Sequence, residues 1–97
     1  MPKAYTIAEF EILDAAAQTE LGPAMTKAQA AAGGRPFGTA AGKITARTGT
    51  PPQRIAITEW DSVAKADAFR ESAEYKKLEP LMAKAIKLTR LYVVEVA

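Results

Sequence analysis

The segment Arg90 to Val96 carries two alternating sets of apolar side chains, Leu91 and Val93 on one side and Tyr92, Val94 and Val96 on the other. Successive strand residues point to opposite faces, so a strand apolar on both must be covered on both. Arg54 to Trp60 has the same character, with Ile55 and Ile57 opposite Ala56 and Trp60. Any fold for this chain must therefore cover both faces of a sheet.

The remaining pattern supplies the other elements. Thr6 to Leu13 reads as a strand, with Ala8, Phe10 and Ile12 on one face and Tyr5, Ile7, Glu9 and Glu11 on the other. Asp14 is placed to cap an Ala-rich helix. Gly22-Pro23 is expected to break or kink that helix, because proline lacks the backbone donor and clashes with the preceding turn. Leu21, Met25, Ala28 and Ala32 nevertheless share one stripe, which carries helix to about Ala32, where Gly33-Gly34 stops it. Arg35 to Arg47 is Gly-rich and weakly apolar, as in an irregular or bulged edge strand, and Thr48 to Pro52 reads as a turn. Asp61 or Ser62 caps a second helix with Val63, Ala66 and Phe69 on its buried stripe. Ser72 opens a further helical turn, and Leu78, Leu81, Met82, Ala85 and Ile86 continue the helical pattern past Pro80.

The order strand, helix, strand, strand, helix, strand predicts an α+β fold. Two split βαβ units with right-handed crossovers give a ferredoxin-like βαββαβ sandwich, a four-stranded antiparallel sheet with two helices on one face. Ninety-seven residues suit one domain, spanning 1–97, and supply no second sheet for the other face. A second copy of the chain supplies it in this reading, so a homodimer is expected.

Composition narrows the chemistry. The absence of Cys excludes disulfides, thiolate nucleophiles and iron–sulfur ligation from this chain, and the absence of His removes the commonest general base and metal ligand. No cofactor and no metal are expected. Thirteen Lys and Arg against eleven Asp and Glu leave a net charge of +2, too small to point to nucleic acid or a membrane surface. No apolar run approaches the roughly 20 residues of a membrane span, and the opening residues carry no apolar signal core, so a cytoplasmic protein is expected.

Several segments together carry a family likeness: Ala4-Tyr5-Thr6-Ile7-Ala8, Gly33-Gly34-Arg35 followed by Phe37, Gly42-Lys43, and Arg54 to Trp60. Ala66-x-Ala68-Phe69 and Phe69-x-x-Ser72-x-x-Tyr75 complete it. In these the chain resembles the family called domain of unknown function 1330, within the dimeric α/β-barrel group. The resemblance implies a ferredoxin-like protomer whose sheet stacks on its partner's to form a dimeric α/β barrel. The wider group resembles cofactor-free monooxygenases, isomerases and small-molecule-binding proteins. The chain departs from the pattern at Gln18 and Leu21, where such proteins often carry aromatics, and at Gly22-Pro23.

Three groups could carry chemistry. Glu59 and Trp60, with Tyr5 and Glu95, fall at one rim of the proposed sheet; there a desolvated carboxylate could act as a base. The alternative is strand ends leaving the core, with Trp60 packed beneath a helix. Arg35 after Gly33-Gly34 suits a carboxylate or phosphate grip, or equally a surface arginine after a helix cap. Ser72 reads best as a helix cap, and Tyr75 as a ring packed on the sheet. The resulting candidate ligand site is Tyr5, Arg35, Glu59, Trp60 and Tyr75, in a pocket between sheet and helices. The competing readings are an interaction dimer without catalytic activity and, from the family resemblance, a cofactor-free monooxygenase-like or isomerase-like enzyme. RNA recognition is disfavoured because Ile-Ala-Ile-Thr stands where stacking aromatics would be needed.

Overall fold

In a computed structural model, residues 3–37 and 43–97 are described. Strand β1 (Lys3–Ile12), helix α1 (Ala15–Ala31), β2 (Arg35–Phe37), β3 (Arg54–Trp60), α2 (Val63–Arg70), α3 (Ala73–Ala85) and β4 (Ile86–Val96) follow one another. The four strands form one antiparallel sheet in the order β2-β3-β1-β4, the ferredoxin-like arrangement expected from the pattern.

The caps follow local chemistry. Asp14 Oδ1 accepts from the Ala17 amide at 3.0 Å, and Ser62 Oγ from Lys65 at 3.2 Å. At the end of α1 the Gly34 amide donates to the Gln29 carbonyl and the Gly33 amide to that of Ala30, a Schellman closure. Gly33 has φ 95°, the left-handed conformation this closure requires and glycine adopts without strain.

Four expectations are corrected. No break occurs at Gly22-Pro23: α1 runs through Pro23 as one helix to Ala31, the extent expected from the stripe of Leu21, Met25, Ala28 and Ala32. Proline removes a single internal donor, and Leu21 is buried on the stripe that packs towards α3. The predicted second helical region is two helices, so the face carries three. Ser72 divides them: its hydroxyl donates to the Phe69 carbonyl at 2.6 Å and accepts from the Tyr75 amide at 3.2 Å, closing α2 and opening α3. β2 is only three residues long; Lys43 to Arg47, the far part of the predicted edge strand, is not strand, and 38–42 lie outside the described residues. Finally, β4 begins at Ile86 rather than Arg90.

The register fixes what each face carries. Ala4 stands opposite Trp60 and Glu95, whereas Tyr5 stands opposite Glu59 and Val94. Ala4, Trp60 and Phe10 are buried under the helices with Leu21, Phe69 and Ala85, in two apolar clusters. The opposite face presents Tyr5, Ile7, Ile55, Ile57, Tyr92 and Val94. On it Tyr92 is 40 % and Val94 39 % exposed, and Tyr5, Ile7, Ile55 and Ile57 are half-buried, so among the described residues no layer of helices covers this face.

Candidate functional site

Two arrangements stand back to back across the sheet. On the helix side a cavity of about 750 Å³ crosses all four strands, floored by residues such as Ala56, Thr58 and Leu91 and roofed by α1 to α3. That volume lies within the range of small-molecule sites. One wall is an aromatic chain: the Trp60 and Phe69 rings lie 5.3 Å apart, and Tyr75 meets Phe69 edge-on at 5.5 Å. Trp60 is 1 % exposed, and its Nε1–H has no acceptor among the described residues. Gln18, on α1, also lines the cavity and has a buried Oε1 with no donor among the described residues. Among the described residues the Tyr75 hydroxyl finds only the Met82 thioether, at 3.9 Å. Burial holds the Tyr75 phenol above its ordinary pKa, so the group stays protonated at neutral pH.

Gly34 sets the position of this wall. A Cβ there would lie 2.9 Å from Trp60 Cη2 and 3.0 Å from Thr58 Cγ2, so only glycine lets the indole close against the end of α1.

On the opposite face lies a network of charges. Glu59 accepts from Arg35 Nε at 2.7 Å through one oxygen and from the Tyr5 hydroxyl at 2.9 Å through the other. Arg35 Nη2 reaches Asp61 at 2.9 Å, and Lys3 stands within 3.8 Å of Glu59 and 3.7 Å of Asp61. Hydrogen bonds from Arg35 and then Tyr5 hold the Glu59 carboxyl below its ordinary pKa; the bond to Glu59 lifts the Tyr5 phenol. A second cluster lies further along β1, where Glu9 accepts from Tyr92 at 2.8 Å and pairs with Arg90 at 3.2 Å.

The five candidate residues are therefore divided by the sheet. Trp60 and Tyr75 line the cavity; Tyr5, Arg35 and Glu59 form a paired network on the other face. Glu95 is level with Trp60 in register and has no part in the Glu59 network. Phe69 and Gln18 also line the cavity and were not singled out as site residues. The signal for Gln18 was a polar residue on the inward stripe of α1, three before Leu21 and seven before Met25. Among the described residues no group of three or more Asp and Glu side chains is placed to hold a metal ion, and no helix is long and apolar enough to cross a membrane.

The order β2-β3-β1-β4 under one layer of helices defines a ferredoxin-like α+β protein with a ligand-sized cavity between its layers. Residues 3–97 match the family described as Domain of unknown function (DUF1330), and the chain belongs to that family. A similar fold occurs in a crystal structure of a protein of unknown function from Rhodopseudomonas palustris, a structural genomics target. The TM-score is 0.73 at 14 % identity, over 99 % of this chain and 83 % of that one. No curated protein sequence matches the chain.

Proposed function

We propose that each protomer binds a small molecule in the cavity between sheet and helices, and that two protomers pair through the opposite sheet face. The observation that carries the first part is the cavity of about 750 Å³ walled by Trp60, Phe69 and Tyr75. A single domain of this size has little apolar volume to spare, so a gap of that size between its layers is a departure from ordinary packing. Trp60 and Tyr75 are the ligand-facing members of the candidate site. Tyr5, Arg35 and Glu59 belong instead to the face that a second copy covers.

Charge supports a second copy as the occupant of that face. Lys3 and Arg35 balance Glu59 and Asp61 at one place, and Arg90 balances Glu9 at another. Each cluster is neutral as a unit, so two like faces can approach without like-charge conflict around the strip of Ile7, Ile57 and Val94. The near balance of charge over the chain supports a cytoplasmic protein without nucleic-acid or membrane partners.

The chain has one tryptophan, and it lines the cavity, so its emission reports on the site directly. A metabolite panel screened by thermal shift should yield a compound that raises the melting temperature and changes Trp60 emission. A broad panel in which no compound does both would overturn the cavity reading. For the dimer, sedimentation at tens of micromolar should give twice the protomer mass, and Val94→Asp should reduce it to the protomer mass with unchanged circular dichroism. A wild-type protein sedimenting as a monomer would refute the pairing.

A further inference from the structure

The polar groups around the cavity are few and unevenly distributed. Among the described residues three charged ones line it, Lys27, Asp67 and Arg70, and all three are exposed, so they stand at its mouth. The interior has no ionised group to receive a charge. An ion moved inside would lose its hydration and gain no counter-ion, whereas at the mouth a charge pair is largely screened by solvent. Beside the small hydroxyls of Thr6 and Thr58, the aromatic wall holds two hydrogen-bond donors in need of an acceptor. Among the described residues the Trp60 Nε1–H is unpartnered, and the Tyr75 hydroxyl has only the weak acceptor Met82 Sδ at 3.9 Å. Both belong to the same aromatic wall, linked through Phe69.

We infer, building on the reading of the cavity as a ligand site, that its ligand is an uncharged, mainly apolar molecule bearing an accepting oxygen, such as a ketone. The apolar body packs on the aromatic wall at Phe69 and Tyr75, and the oxygen accepts from the Tyr75 hydroxyl, since the Trp60 Nε1–H is enclosed within the wall. Gln18, whose amide offers an acceptor or a donor according to which way it is turned, can bond a further polar group of the ligand.

Three probes of equal heavy-atom count isolate the features: 2-isopropenylnaphthalene, 2-acetylnaphthalene and 2-naphthoate. Each is titrated into the full chain while the single tryptophan indole N–H is followed in a proton–nitrogen NMR spectrum. The ketone should bind about three- to tenfold more tightly than the isopropenyl hydrocarbon, the worth of one hydrogen bond, and about tenfold or more above the carboxylate. Tyr75→Phe, which keeps the ring and loses the donor, should reduce the ketone's advantage and leave the hydrocarbon unchanged. Naphthoate binding as tightly as the ketone, or the hydrocarbon matching it, would overturn the ligand class while leaving the cavity as a site. Failure of all three to bind would overturn the cavity reading itself, and this inference with it. The wild-type ranking decides the matter even if Tyr75→Phe folds poorly.

Discussion

Gly34→Ala tests how the cavity wall is held. Its φ is not in the left-handed region, so alanine fits the backbone there. The added methyl is what the structure cannot take: it would lie 2.9 Å from Trp60 Cη2, 3.0 Å from Trp60 Cζ2 and 3.0 Å from Thr58 Cγ2. Carbon atoms pack at about 3.5–4.0 Å, so the indole must retreat by several tenths of an ångström. Trp60 is wedged against Phe69 at 5.3 Å, and moving it disturbs the aromatic wall as a unit. Overpacking of this kind destabilises by about 1–3 kcal/mol. For a domain of this size each kcal/mol corresponds to roughly 4–8 °C in melting temperature. Gly33→Ala is the control. Its Cβ would meet nothing within 4 Å, but φ 95° is strained for any side chain. It should lose about 1–2 kcal/mol through the backbone alone. Urea unfolding followed by circular dichroism gives both values, and the native-state emission of Trp60 separates the causes. Gly34→Ala should shift that emission and Gly33→Ala should not. A Gly34→Ala protein as stable as wild type with unchanged emission would refute the reasoning.

Two further outcomes follow from the network and the caps. The Glu59 carboxyl has a lowered pKa in the folded chain, so its contribution to stability is present above the ordinary carboxylate pKa and is lost as pH falls through the folded value. Glu59→Gln should therefore flatten the fall in stability on acidification below about pH 4.5, measured by urea unfolding at a series of pH values; an unchanged acid profile would contradict the pairing with Arg35. Ser72→Ala removes the cap of α3 and the bond to Phe69 together, and should lower stability by about 0.5–2 kcal/mol by chemical denaturation.

The sequence pattern carried the strand order, because β1, β3 and β4 are runs of β-forming residues and the helix caps between them, at Asp14, Ser62 and Ser72, are of the preferred kinds. It misplaced the start of β4 for a definite reason. Leu78, Leu81, Met82, Ala85 and Ile86 keep a helical spacing up to the boundary, while a bulge displaces the strand's own alternation. Glu9 pairs with Arg90 and Phe10 with Leu88, leaving Thr89 over, so Ile86 and Leu88 share the face of Leu91 and Val93. The same period of two explains the divided site. Glu59 and Trp60 are neighbours in sequence and at one rim of the sheet, yet point to opposite faces. The cavity itself was not legible, because the spacing of helices above a sheet is set by packing that no periodicity encodes.

Cavity filling tests the central claim most directly. Ala56 lies on the cavity floor and is exposed there, so Ala56→Phe should project into the open space and remove it. Calorimetric titration of 2-acetylnaphthalene into wild type and Ala56→Phe, both confirmed as folded by their melting curves, decides the matter. The account predicts saturable binding to wild type, lost in Ala56→Phe at an equal or higher melting temperature. Undiminished binding to the filled variant would place the ligand elsewhere and contradict it.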